Sequence, residues 1–261
     1  MPVHDDLGTR MKEFYEQIPK TRLMRRVPVA VRIDGRSFHT FTRGFWKPFD
    51  RTLMNTMQGT MQYLCQNIQG AKFGYAQSDE ITLILTDYDT FTTSAFFDYE
   101  VQKLCSIIAS MATMKFNQLF PYNVSLLRGI KGDYKAIHYF EEYYDTMLTA
   151  ASKGAMFDCR CFNIPKEEVT NLIYWRQLDA MRNSVQMVGQ ANFSQKELQN
   201  KSCEKIKEML AVKGILWEAY SPDCKWGAAC RKDEDGWYVD HDMPILKEDR
   251  AYVDDLIYIG D

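Results

Sequence analysis

Val27-Pro28-Val29-Ala30-Val31-Arg32-Ile33 runs straight into Asp34-Gly35-Arg36. Val27, Val29, Val31 and Ile33 are β-branched and alternate with smaller or polar residues, which suits a pleated strand. An Asp-Gly pair then stops the run, as turn-forming residues do. Downstream, Phe49, Leu53, Met54, Met57, Met61, Leu64, Cys65 and Ile68 recur at helical spacing. Next come two short strand-like runs, Lys72–Gln77 and Ile81–Leu85, joined at Ser78-Asp79-Glu80, which reads as a hairpin. A second long helix is expected over about 94–119, with Phe97, Val101, Leu104, Cys105, Ile108 and Ala112 on one face. A fourth strand is expected over about 155–164, with Phe157, Cys159 and Cys161 on one side.

Strand, helix, strand, strand, helix, strand is the split βαβ, or ferredoxin-like, order: α+β, with an antiparallel sheet and two helices on one face. Outside this frame, residues 5–17 predict a first helix carrying Leu7, Met11, Phe14 and Tyr15, closed by Pro19. The tyrosine-rich stretch 121–153 reads as an insertion before the fourth strand. Beyond Pro165 the chain reads as mostly helical, over about 166–190 and 194–212, with a polar, strand-poor tail ending at 227–238. The expected division is a domain over 1–164 that carries this frame and a helical C-terminal subdomain over 165–261 packed on it.

Composition bounds the function. The 261 residues are 46% hydrophobic and 26% charged, ordinary for a folded chain, with 32 basic and 35 acidic residues and a formal charge of −3. So small a net charge does not announce a polyanion partner, although a local patch would suffice for one. No uninterrupted apolar stretch is long enough to span a bilayer, and Met1–Asp6 lacks the features of a secretory signal. Seven cysteines without a C-x-x-C pair read as reduced thiols of a cytoplasmic protein.

The chemistry sits at strand ends. The first strand of such a sheet lies beside the hairpin, so Asp34 and Asp79 are expected to converge although far apart in sequence. Two carboxylates on one edge are the minimum for holding two magnesium ions against a triphosphate. The Gly35 carbonyl is placed to add a ligand, and glycine admits close approach of a phosphate. The turn Gly35-Arg36-Ser37-Phe38-His39 offers backbone N–H groups, with Arg36, His39 and Lys47 as counter-charges. No Walker or dinucleotide-binding glycine pattern occurs.

These residues resemble those of the tRNA-His guanylyltransferase-like 3′-to-5′ polymerases. The resemblance rests on Arg32 to His39, Lys47-Pro48-Phe49-Asp50, Tyr75 to Glu80, Phe157-Asp158-Cys159-Arg160, Trp175 to Ala180 and Arg182-Asn183-Ser184, in one order. It implies a polymerase palm, a two-magnesium site and a tRNA substrate with an incomplete 5′ end. Asp34, Asp79 and Glu80 are then the catalytic acids, and Asp34, Gly35 and Asp79 the metal ligands. Asp34 to His39, Lys47, Asp50, Ser78, Asp79, Lys103 and Asn183 become the candidate nucleotide-binding residues, with GTP, ATP and other NTPs as substrates. Lys20, Arg22, Arg25, Arg26 and Lys153 are candidate tRNA contacts, and a homotetramer is the expected assembly.

Two departures from the family pattern stand out. Met181 replaces a histidine that eukaryotic members use in choosing tRNA-His, which favours the branch repairing truncated tRNA 5′ ends over the one adding a single guanylate. Glu100, near Lys103, stands where many relatives carry a basic residue. Competing readings are the tRNA-His-specific guanylyltransferase, a non-catalytic RNA-binding protein and a nucleotidyl cyclase.

Overall fold

A computed structural model describes residues 6–129 and 134–258. The chain opens with α1 (Asp6–Met11), which continues as one wide turn over Lys12–Glu16 and buries none of its residues. β1 (Val29–Gly35) follows, then a single turn, α2 (Phe38–Phe41), and α3 (Arg51–Asn67). The hairpin is β2 (Ala71–Gln77) and β3 (Glu80–Leu85), and α4 (Val101–Leu126), α5 (Tyr134–Lys153) and β4 (Phe157–Asn163) complete the expected frame. The C-terminal part contains α6 (Lys166–Asn192), α7 (Gln195–Leu198), α8 (Cys203–Val212), α9 (Pro222–Trp226), β5 (Ala228–Asp233), β6 (Gly236–Asp240) and α10 (Ala251–Ile257).

The six strands form one antiparallel sheet in the order β4-β1-β3-β2-β5-β6. Its first four members have the ferredoxin-like order. Val29, Val31 and Ile33 point to one face, where they meet α3, α4 and α5 in a core containing Phe38, Met61, Phe116 and Phe120. Ala30, Ile84, Phe73 and Tyr75 point to the other face, against Val169 and Ile173 of α6 and Val253 of α10. The helices of the ferredoxin-like frame therefore lie on one face, as expected, and the C-terminal helices α6 and α10 cover the other. β3 is buried at all six positions, which is why it reads as a continuous apolar run without alternation. Among the described residues no helix is long and apolar enough to cross a membrane.

Three sequence expectations need correction. α4 does not end near residue 119 but runs through Pro121 to Leu126. Phe120, Val124 and Leu127 stay buried there, so core packing offsets the bond that proline removes. The stretch before β4 is largely helix: Tyr143, Met147 and Ala150 recur at helical spacing in the core. The tail is not strand-poor either, because β5 pairs with β2 and β6 with β5. Ala228, Ala229 and Cys230 are wholly buried there but carry none of the β-branched bulk that marks a strand in sequence.

The C-terminal part is fastened to α3 by a buried carboxylate. Asp223 accepts from Arg51 Nη1 at 2.7 Å, from Ser221 Oγ at 2.5 Å and from Gln58 Nε2 at 3.4 Å. Burial alone would raise its pKa, but these donors outweigh burial and hold the carboxyl below its usual range. A depressed folded-state pKa stabilises the protein above the unfolded value, about 4, and that stability is lost as pH falls through the lower folded value. Urea denaturation across this acid range is expected to show the loss in the native chain and a flatter profile in Asp223→Asn. Parallel profiles would contradict the assignment.

Candidate active site

The acidic residues gather where β1 ends and the hairpin turns. Register sets this: Asp34 pairs with Glu80 across β1 and β3, and with Asp158 across β1 and β4. Gly35 N–H donates to the Asp79 carbonyl at 3.0 Å, tying the end of β1 to the turn. Side chains alternate along a strand, so Arg32 and Asp34 share the sheet face that carries α6, as do Asp158 and Arg160.

The three acids of the expected site differ in their surroundings. Glu80 is buried, and two guanidiniums hold it. Arg32 Nη2 and Arg176 Nε each lie 2.8 Å from Oε1, and Arg176 Nη2 donates to Oε2 at 2.9 Å. Asp34 has no such neutralisation. Burial raises its pKa first, the charges of Asp79, Glu80 and Asp158 raise it further, and only Arg160 opposes them. Asp79 is also raised, mainly by burial, although Ser78 Oγ donates to it at 3.0 Å. Two hard-oxygen carboxylates whose charge is penalised by burial, one of them also by neighbouring acids, suit a divalent cation. Magnesium in particular takes one or two carboxylates and leaves its other positions to water and phosphate. Among the described residues no cluster of three or more His, Cys, Asp or Glu side chains forms a closed protein cage.

Local backbone supports the site. A Cβ on Gly35 would lie 2.2 Å from the Phe38 ring, which is itself packed against Phe116 and Phe157. Only glycine fits between strand and ring. Ser37 and Ser78 both have positive φ, 56° and 51°, an uncommon conformation for residues with a side chain and one that recurs at functional sites.

The family profile described as tRNAHis guanylyltransferase matches residues 8–165. The chain belongs to the tRNAHis guanylyltransferase family. Members of that family are nucleotidyltransferases acting in tRNA processing. A solved bacterial tRNA(His) guanylyltransferase-like protein in complex with ATP is 40% identical, with a TM-score of 0.83 over 97% of this chain and 100% of that one. A second such structure, in complex with GTP, is 38% identical with a TM-score of 0.74 over the same shares. The mimivirus protein R259, from Acanthamoeba polyphaga mimivirus, is 30% identical over 88% of this chain and 78% of its own length. By contrast, the chain spans only 54% of the Dictyostelium discoideum Probable tRNA(His) guanylyltransferase, at 26% identity.

Seen as a member of this family, the chain distributes its other expected site residues over several places. Arg36, Ser37 and Lys153 line a cavity of about 840 Å³ beside α5, with Arg43, Glu142 and Asp145. Ser78, Asp50 and Asn183 share a small cleft of about 80 Å³ between the hairpin turn, α3 and α6. Asp50 is buried and saturated: it caps α3 through Leu53 N–H at 3.0 Å and accepts from Trp46 N–H at 3.2 Å and Tyr143 Oη at 2.8 Å. Lys47 lines a separate cavity with Gln186 and Gln190. Phe38 is buried, and His39 is exposed.

Lys103 lies away from the carboxylates. Ten residues along α4 from it, about 15 Å, Thr113 accepts from Phe157 N–H beside the site. The N-terminal basic residues are also at that far end and are engaged there: Lys20 with Glu16, Arg22 with Asp98, and Arg25 with Asp87 and Asp98. Arg26 holds Asp87 through its backbone N–H. What sequence reasoning left without roles is the set Arg32, Asp158, Arg160 and Arg176. All four lay in the quoted motifs, and the available signal was their alternation in phase with Asp34 or their helical phase on α6.

Arg176→Met would strand the buried Glu80 charge with one partner fewer, and urea titration is expected to show a loss of about 3–5 kcal/mol. Gly35→Ala would press on the Phe38 cluster and cost about 1–3 kcal/mol. A glycine-to-alanine change that leaves the melting temperature intact would contradict the close packing there.

Proposed function

We propose that this protein extends tRNA 5′ ends in the 3′-to-5′ direction, repairing truncated tRNA against the opposite strand as template. The observation that carries the reading is the uncompensated pair Asp34 and Asp79, converging at the end of β1 in a chain of this family. The ATP- and GTP-bound relatives support nucleoside triphosphates as substrates. Met181, replacing the histidine associated with tRNA-His choice, supports repair over guanylate addition restricted to that tRNA.

The reaction divides into two transfers. A tRNA 5′-monophosphate is a poor electrophile, so its phosphate oxygen first attacks the α-phosphate of ATP or GTP and pyrophosphate leaves. The 3′-hydroxyl of an incoming NTP then attacks the activated 5′-phosphate, and the nucleoside monophosphate leaves. A tRNA that already bears a 5′-triphosphate needs only the second transfer. Asp34, Asp79 and the Gly35 carbonyl would hold two magnesium ions, which when bound lower the pKa of the attacking hydroxyl and offset charge on the leaving group. Glu80 does not need to bind metal in this scheme: held by Arg32 and Arg176, it keeps two guanidiniums fixed beside the acids. Arg36 and Ser37 lie one turn beyond Asp34 and would meet phosphate oxygens, while Ser78 and Asn183 border the incoming nucleotide. No side chain serves as a covalent nucleophile.

The reading extends to a cytoplasmic homotetramer. The row Leu7, Met11 and Phe14 on the first helix and its last wide turn, with Ile18 just beyond, is exposed and would be covered by another subunit. Lys153, with Arg36 and Arg43 of the same cavity, would contribute to a modest basic surface with salt-sensitive binding, whereas the N-terminal Arg22 and Arg25 are held by Asp87 and Asp98.

The test is incubation of 5′-truncated and full-length tRNAs with each of the four NTPs and magnesium. Template-matched addition to the truncated form is expected. Addition of guanylate to tRNA-His alone would instead identify the specific guanylyltransferase, and cyclisation of free NTP would identify a cyclase. Asp79→Asn should abolish addition while raising the melting temperature in magnesium-free buffer, because it removes a penalised charge. Retained addition by a well-folded Asp79→Asn protein would sink the assignment.

A further inference from the structure

α6 carries a tryptophan that the core does not use. Trp175 is 51% exposed, although it sits in the middle of a helix whose other face is buried. Its ring lies beside the acidic site: Arg32, two residues before Asp34 on the same sheet face, places its guanidinium carbon 5.4 Å from the indole centroid, and that of Arg176 lies at 4.5 Å. Both guanidiniums grip one oxygen of Glu80, each at 2.8 Å. Both guanidiniums are drawn to that oxygen, and half of the indole surface remains exposed beside them.

The surroundings are charged in a particular way. Arg32 and Arg176 meet Glu80, and Arg176 and Arg182 meet Asp179, so several guanidiniums are held in fixed positions around the ring and along α6. Across the strand pair, Arg160 is directly opposite Arg32 and half-exposed, paired with the equally exposed Asp158 at 3.0 Å. A half-exposed indole beside the partly exposed guanidinium of Arg160 matches a nucleotide unit of RNA, whose base stacks while its phosphate meets a cation. Ser78 and Asn183 border a cleft that does not include Trp175. Asn183 is eight residues further along α6, about 12 Å, so the platform serves a different nucleotide.

We propose that the exposed indole of Trp175 is the stacking platform for the nucleobase at the 5′ end of the RNA, holding that end against the Asp34–Asp79 edge. The proposal rests on the reading that RNA is the substrate, and it adds a binding residue to it.

The test uses the full-length chain and 5′-monophosphorylated tRNA lacking its first nucleotide, with binding followed by fluorescence anisotropy in the absence of NTP. Trp175→Leu is expected to weaken binding roughly five- to one-hundredfold, whereas Trp175→Phe stays within about threefold of the native chain. The same RNA with an abasic 5′-terminal nucleotide should bind the native chain as weakly as intact RNA binds Trp175→Leu, which should lose nothing further with it. KM for NTP should not move. Native-like RNA binding by Trp175→Leu, equal losses in the leucine and phenylalanine variants, or a change confined to KM for NTP would each overturn the proposal. If the leucine variant does not fold, undiminished binding of abasic RNA by the native chain overturns it. Because binding is read without turnover, a chain that binds RNA through Trp175 but adds no nucleotide would refute the activity and leave the platform standing.

Discussion

A carboxylate buried inside a protein is costly unless cations and hydrogen bonds meet it, and the buried Glu80 meets two guanidiniums. Arg32 comes from the neighbouring strand and Arg176 from the helix laid across the sheet. One ion cluster therefore joins the β1–β3 pair to α6. A one-residue slip in the β1–β3 register would turn Arg32 and Asp34 to the opposite face and leave Glu80 charged and alone. The same cluster explains a division among the acids. Glu80 uses up the nearest guanidiniums, so Asp34 and Asp79 keep a charge that the protein itself does not balance.

That imbalance gives the site its chemical character. In a resting fold, acids brought together by register are a liability, and Arg160 is the only cation counted against Asp34. The aromatic cluster under Gly35 and the buried sheet around it hold the acids in place despite their repulsion. Rigidity is concentrated below the site, where Phe38, Phe116 and Phe157 pack edge to face or tilted at 5.3–5.7 Å. The polar groups expected to meet nucleotides lie above this base, on turns and helix flanks. A rigid support under polar contacts carried on turns is the usual arrangement for loops that carry function.

The formal charge of −3 takes on a different meaning once these partners are known. Part of the charge on both sides is used within the fold. Arg25, Arg32, Arg51 and Arg176 are committed to Asp87, Glu80 and Asp223, and so are unavailable to a polyanion at full strength. A surface for RNA would then be assembled from a few residues close to the acidic edge, with shape and stacking mattering as much as bulk charge.

Much of the fold was legible in the sequence because its signals are local. Alternating Val29-Ala30-Val31, the helical spacing of Met57, Met61 and Leu64, and a polar turn between two apolar runs each follow from the geometry of one element. The order of these elements then implied the sheet, and strand adjacency brought Asp34 to Asp79. Three things were not local. Pro121 inside α4 and the small residues of β5 are tolerated because distant parts of the chain pack over them, which no window of sequence records. The second covered face of the sheet depends on where α6 comes to rest. Finally, the sequence by itself determined which acids stand at strand ends, but only the tertiary structure decided which of them is neutralised. That outcome depends on two arginines, 48 and 96 positions from Glu80, reaching one carboxylate.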